Sequence, residues 1–180
     1  MKYINKYKLG KELTAEDISV KLMLFPDGQP HVILSNIAAG DNVSVRWPVR
    51  SPLELFQLLA ICNAIKNADA SVYDLEIPYL MGARSDRSMV PGDSIDIQVV
   101  ADCINSIGAG IDHLYDVHSD VSLKCINNSQ NIPAYHLLDK YKQTNAVLVC
   151  PDKGAKHKVD SIMQWTHIAH VIYCDKSRDL

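Results

Sequence analysis

Apolar and polar residues alternate over residues 19–25 (Ser-Val-Lys-Leu-Met-Leu-Phe), the period-two pattern of a half-buried strand, and the run stops at the turn Pro26-Asp27-Gly28. The eighteen residues before it are polar and unpatterned. Residues 31–37 and 42–47 read as two further strands. The period then changes. Ser51 is placed to cap a helix, Pro52 suits its first position and Glu54 completes a capping box. Leu55, Leu58, Leu59, Cys62 and Ile65 recur at helical spacing and predict its buried face. A strand is predicted over 70–80. A polar segment, 83–92, leads to a helix expected to begin near Asp93 or Ser94, with Ile97, Val100, Ala101, Ile104 and Ile107 inward. Gly108-Ala109-Gly110 ends it. A strand over 111–117 follows, then a polar, Asn-rich stretch, 119–133, read as a loop or a crossing between domains. Residues 137–142 predict a short helix, 146–150 a buried-type strand, 159–165 a helix and 167–174 a last strand. No repeat of fixed period occurs. Strands alternating with helices predict an α/β fold with a mostly parallel sheet.

Composition changes this picture little. The 180 residues are 47% apolar and 22% charged, ordinary for a globular protein, and suffice for one large domain or one domain and part of another. A net charge of -3 gives no basic field to recruit nucleic acid, so a polyanion site must be local. Five scattered cysteines without a C-x-x-C pair read as reduced thiols of a cytoplasmic protein. The first residues do not form a signal peptide, and no run approaches the ~20 apolar residues that span a bilayer, so no membrane partner is expected.

Four polar clusters follow strands: Asp27 to Gln29, Arg84 to Arg87, Asp116 to His118, and Asp152 to Lys156; Lys176 and Arg178 form a fifth. Strand-end loops of a parallel α/β layer gather on one edge, and this inventory suits a Mg²⁺-polyphosphate. Asp116 and His118, two residues apart at a strand end, are expected on one side of the sheet, where they suit a divalent metal or a phosphate; pairing with backbone groups is the alternative. Asp152-Lys153-Gly154-Ala155 offers backbone N–H groups to an anion at a helix start, or is an ordinary turn with a capping Asp. It is not a Walker motif. Arg84, Asp86 and Arg87 have a solvated loop with local ion pairs as their alternative. Arg46 and Arg50 read as surface residues, and His167 and His170 as structural or incidental. Phe25 is placed to stack on a base or to pack in the core; Phe56 should lie on or beside the helix core.

In this order the clusters resemble those of the ribose-phosphate pyrophosphokinase family. Phe25-Pro26-Asp27-Gly28-Gln29 is similar to its Phe-x-Asp-Gly-Glu nucleotide loop. Ile77-Pro78-Tyr79 through Ala83-Arg84-Ser85-Asp86-Arg87 resembles its Ile-Pro-Tyr…Ala-Arg-Gln-Asp-Arg stretch, and Asp116-Val117-His118-Ser119 its Asp-Leu-His-Ser/Ala signature. Pro151-Asp152-Lys153-Gly154-Ala155 is similar to its pyrophosphate loop, and Asp175-Lys176-Ser177-Arg178 to its Asp-Lys-Arg-Arg. The resemblance implies a phosphoribosyltransferase-like parallel-sheet domain, residues 1–131, followed by the first part of a similar domain, 132–180. It implies Mg²⁺-dependent transfer of the β,γ-diphosphoryl group of ATP to the anomeric hydroxyl of ribose 5-phosphate. In that reading Phe25, Asp27 and Gln29 hold the base and nucleotide, while Arg84, Ser85 and Asp86 lie along the nucleotide. Asp152, Lys153, Gly154 and Ala155 cradle pyrophosphate; His118 and Asp152, supported by Asp116, hold Mg²⁺; Lys176 and Arg178, with His118, are catalytic. A homo-oligomer assembled through the amino-terminal domain is also implied.

Three departures bear on substrate. Gln29 replaces Glu, Ser85 replaces Gln, and Asp120 to Ile126 replaces a Gln-rich, Gly-Phe-Phe segment. They predict a divergent member, with ADP-ribose as an alternative acceptor. The family's Asp-Asp…Thr-Gly-Gly-Thr loop for the acceptor phosphate is absent. The expectation is therefore a truncated product or one piece of a split enzyme, weakly active or inactive alone. A non-catalytic regulatory partner of a longer homologue is the rival.

Overall fold

A computed structural model describes residues 1–176. The chain divides into two compact units, Met1–Ile132 and Pro133–Leu180.

The first unit starts with β1, Lys2–Asn5, and a 3-10 turn, Lys6–Lys8. Strands β2 (Ser19–Leu24) and β3 (Pro30–Ser35) follow, then β4 (Asn42–Arg46), α1 (Pro52–Asn67), β5 (Ser71–Ile77), α2 (Asp96–Asn105), β6 (Ile111–Tyr115), α3 (Val121–Cys125) and β7 (Ser129–Ile132). A five-stranded sheet runs in the order β1-β4-β5-β6-β7 with every pair parallel. Each crossover steps the same way across the sheet, so right-handed connections put the helices on one face. Val43, Val45, Leu75, Ile77 and Leu114 meet Leu58, Ile61, Cys62 and Ile65 of α1 and Val100, Ala101 and Ile104 of α2 in one buried cluster. The opposite face is polar: Tyr115 Oη donates to Glu76 (2.9 Å), and Arg46 pairs with the same carboxylate (3.5 Å).

Several expectations change here. The first eighteen residues are not structureless: β1 pairs with β4, and Ile4, 1% exposed, is its one buried anchor. An edge strand of four residues needs no alternating pattern to be held. Residues 119–133 contain α3 and β7 instead of a loop. β2 and β3 form a separate antiparallel hairpin packed over α1 and do not join the parallel layer. The strand predicted over 111–117 stops at Tyr115, because Asp116 turns into the left-handed region (φ 48). Helix α2 begins at Asp96, later than predicted, because Asp93 is used in the loop before it, where its Oδ2 accepts from Met89 N and Val90 N (2.9 and 3.1 Å). Phe56 is 44% exposed, and α1 buries Leu58, Ile61, Cys62 and Ile65. Arg46 is half-buried and paired, not a free surface residue.

The α1 start follows the predicted chemistry. Ser51 Oγ accepts from Glu54 N (3.3 Å) with Pro52 at the first helical position. The Glu54 carboxylate reaches back to Arg50, accepting from its backbone N–H (2.8 Å) and its guanidinium (2.6 Å). These contacts hold Glu54 at about 2, below the usual carboxylate range.

The second unit contains a 3-10 stretch (Ala134–Tyr141), β8 (Val147–Cys150), a 3-10 turn (Lys153–Ala155), α4 (Lys156–Thr166) and β9 (His170–Tyr173). β8 and β9 pair in parallel. His167 caps α4 in the left-handed region (φ 59), outside the strand predicted to hold it.

Candidate functional site

The site of the first unit lies where the connections leave the carboxyl ends of β5 and β6, the edge at which open parallel sheets bind ligands. A cavity of about 410 Å³ opens there, lined by Arg84, Ser85, Asp86, Arg87, Met89, Asp93, Ser94 and His118. Residues 82–87 are pressed onto the start of α2. Gly82 sits at φ +79, and a Cβ there would meet the backbone carbon and oxygen of Asp96 at 3.1 Å. Ser85 fastens the same point. Its Oγ accepts from Asp96 N (3.3 Å) and donates to Ser94 O (3.2 Å), supplying from outside the helix the cap that Ile95 cannot give.

Asp86, next in the chain, is 9% exposed. Ser119 Oγ donates to its Oδ2 (2.7 Å) and Arg87 Nε to its Oδ1 (3.0 Å). The Ser119 hydroxyl first, then the Arg87 guanidinium, hold the Asp86 carboxyl below the ordinary range. Arg87 is raised in return. Arg84 and His118 line the same cavity, so two guanidiniums and an imidazole surround a concave space partly neutralised by Asp86 and Asp93. Such a cavity can hold a phosphorylated ligand.

Asp116 and His118 follow β6 on a loop tied to β7. Asp116 N donates to Ile132 O (2.9 Å) and Val117 N to Asn131 Oδ1 (3.2 Å). Because Asp116 lies beyond the strand, strand alternation no longer fixes it on the side of His118. His118 lines the cavity; Asp116 is not among the lining residues. Phe25, Asp27 and Gln29 form the tip of the β2–β3 hairpin, where Asp27 Oδ1 accepts from Gln29 N (3.0 Å) and Phe25 leans on His31, ring centroids 5.4 Å apart. Phe25 is 42% exposed, available for a flat partner. The tip does not line the cavity.

In the second unit Asp152 caps the turn it begins, Oδ1 accepting from Ala155 N (3.0 Å). The carboxylate thus occupies the end of Lys153–Ala155 that an anion would approach. A Cβ on Gly154 would come within 3.2 Å of that oxygen. Lys176 Nζ lies 3.8 Å from Asp152 Oδ2, bringing together two of the predicted residues. Arg178, predicted as catalytic, lies outside the described residues. Among the described residues no group of three or more His, Cys, Asp and Glu gathers to hold a metal.

Arg87 was expected only as a member of the Arg84-to-Arg87 cluster, without a role of its own, and Ser119 only as part of a motif. Asp93 and Ser94 were expected only as the start of a helix, and the signal for their place in the cavity lining was a polar strand-to-helix connection.

Residues 6–108 match the family model described as the N-terminal domain of ribose phosphate pyrophosphokinase. A ribose-phosphate pyrophosphokinase of Sulfolobus acidocaldarius is 25% identical over 96% of this chain and 61% of its own length. That of Caldanaerobacter subterraneus is 32% identical over 82% of this chain and 51% of its own. The crystal structure of phosphoribosylpyrophosphate synthetase from Mycobacterium smegmatis superposes with a TM-score of 0.71 at 21% identity, covering 96% of this chain and 59% of that one, a likeness of fold. This chain therefore spans between half and three-fifths of the length of these relatives. No helix of the described residues is long and apolar enough to cross a membrane.

Proposed function

This chain belongs to the ribose-phosphate pyrophosphokinase family, and we propose that it serves that family's diphosphoryl transfer, binding ATP at the cavity beyond β5 and β6. The observation that carries this reading is the lining of that cavity by Arg84, Arg87 and His118 on strand-end loops. In the reaction the oxygen of the anomeric hydroxyl of ribose 5-phosphate bonds to the β-phosphorus of ATP and gives up its proton to water. The bond from that phosphorus to the α,β-bridging oxygen breaks, and AMP departs with the electron pair. Such a transfer needs charge neutralisation and alignment from the protein more than a covalent partner. Arg84 and Arg87 neutralise the phosphates; the assignment of Phe25, Asp27 and Gln29 to the base rests on the resemblance of their loop alone, because the hairpin tip does not line this cavity.

A Mg²⁺ carried on nucleotide phosphates keeps several waters and uses one or two protein groups. His118, which lines the cavity, would offer one such group in the first unit and Asp152 one in the second, whereas Asp116 does not line the cavity and would act only through the loop it shares with His118; the ion would supply charge neutralisation when bound. Taken by itself, the second unit offers the backbone N–H groups of Lys153 to Ala155 to a pyrophosphate once Asp152 releases Ala155 N, and Lys176, with Arg178 by resemblance, would add positive charge. Ser85 and Asp86 act from behind the nucleotide, because their polar atoms are engaged by the protein itself.

The second unit is proposed to be the first part of a phosphoribosyltransferase-like domain. Its β8–β9 pair exposes Val147, Val149 and Ile172 by more than half. Parallel strands are normally covered on both faces. Residues 1–180 alone are therefore expected to release little AMP. Incubation with ATP, Mg²⁺ and either ribose 5-phosphate or ADP-ribose tests this, and rapid AMP release by this chain alone would contradict it. The same exposed strip favours a second reading, a regulatory subunit of a longer homologue. Copurification with that homologue and no calorimetric nucleotide binding would support it.

A further inference from the structure

We propose that Asp86 is a positioning residue that latches the arginine loop to the His118 loop through Ser119; this rests on the reading of the cavity as a nucleotide site. The two loops belong to different crossovers, one leaving β5 and the other β6. Asp86 and Ser119 join them across 33 residues of sequence by a 2.7 Å hydrogen bond. The bond is well placed to hold. Asp86 is 9% exposed, and its second oxygen accepts from Arg87 Nε at 3.0 Å, so turning the carboxylate away would give up both hydrogen bonds. Ser119 directly follows His118, and Asp86 lies between Ser85, pinned to α2, and Arg87, which lines the cavity. One carboxylate therefore sets the spacing between the guanidiniums on one side and the imidazole on the other. Polar residues at 85 and 86 face the protein so that 84 and 87 serve the ligand.

Ser119→Ala removes the latch and leaves both loops their backbone anchors; Ser119→Thr keeps a hydroxyl. Amide hydrogen exchange of the unliganded chain should show faster exchange in both 84–94 and 116–120 for the Ala variant. The Thr variant should restore protection, and the midpoint of thermal unfolding should move little. Calorimetry with ATP and excess Mg²⁺ should give about tenfold weaker binding for Ser119→Ala than for wild type, with Thr restoring affinity. Unchanged exchange in 84–94 would overturn the latch whatever the nucleotide does. Faster exchange with unchanged ATP affinity would overturn its positioning role. If the wild-type chain itself does not bind ATP while the exchange effect is present, the latch stands and the nucleotide reading fails.

Discussion

Gly82 and Asp112 show how single residues set the limits of this unit. Gly82 holds a left-handed conformation at a point where a side chain would meet the backbone of Asp96 at 3.1 Å. Gly82→Ala is expected to cost about 1–3 kcal/mol in chemical denaturation and to loosen the arginine loop, since neither the strain nor the contact can relax separately. Asp112 is a different case. It sits on the core face of β6, 5% exposed, with Oδ1 unpartnered, and burial pushes its carboxyl up to about 6. The folded state then binds this proton more tightly than the unfolded chain does, so the contribution of Asp112 to stability is full below about pH 4 and is lost as pH rises to about 6. Asp112→Asn should remove that fall and raise stability at neutral pH by about 1–2 kcal/mol, read from denaturant midpoints across the window. Asp17 has the opposite sign. Lys8 Nζ and the Thr14 groups hold its carboxyl at about 2, so its contribution is present above about pH 4 and lost as pH falls towards 2.

At the scale of elements, α1 is the part most fully written in local sequence. Ser51, Pro52 and Glu54 start it, and Leu58, Cys62 and Ile65 face the sheet. Ser51→Ala should destabilise the unit by about 1 kcal/mol in thermal unfolding, the usual value of a lost cap. The central strands were legible for a related reason: β4, β5 and β6 each bury at least two side chains, so their pattern survives in the sequence. β1 and β7 were not legible, since Lys-Tyr-Ile-Asn and Ser-Gln-Asn-Ile are edge strands held by backbone pairing with a neighbour that local sequence does not reveal. The site was legible to the same depth. Arg84 and His118 were found by their place after strands, and the cavity brings them together. What escaped was the direction of the polar groups between them. Nothing local distinguishes a Ser85 that reaches a ligand from one that caps α2, or tells that Asp116 has left the strand. Those are decided by tertiary contacts.

For the whole molecule, the separate hairpin and the two units explain why five motifs in chain order do not form one surface within the first unit. The hairpin tip carries Phe25, the sheet edge carries Arg84 and His118, and the second unit carries Asp152 and Lys176. Nucleotide binding at the cavity needs only the first unit and is testable on this chain. The decisive experiment is isothermal titration of ATP with excess Mg²⁺ into residues 1–180 and into Arg84→Ala. Saturable binding to the wild-type chain is expected, weakened about tenfold or more when the guanidinium is removed. Equal affinity for the two proteins, or no binding to the wild type, would rule out the cavity as the nucleotide site.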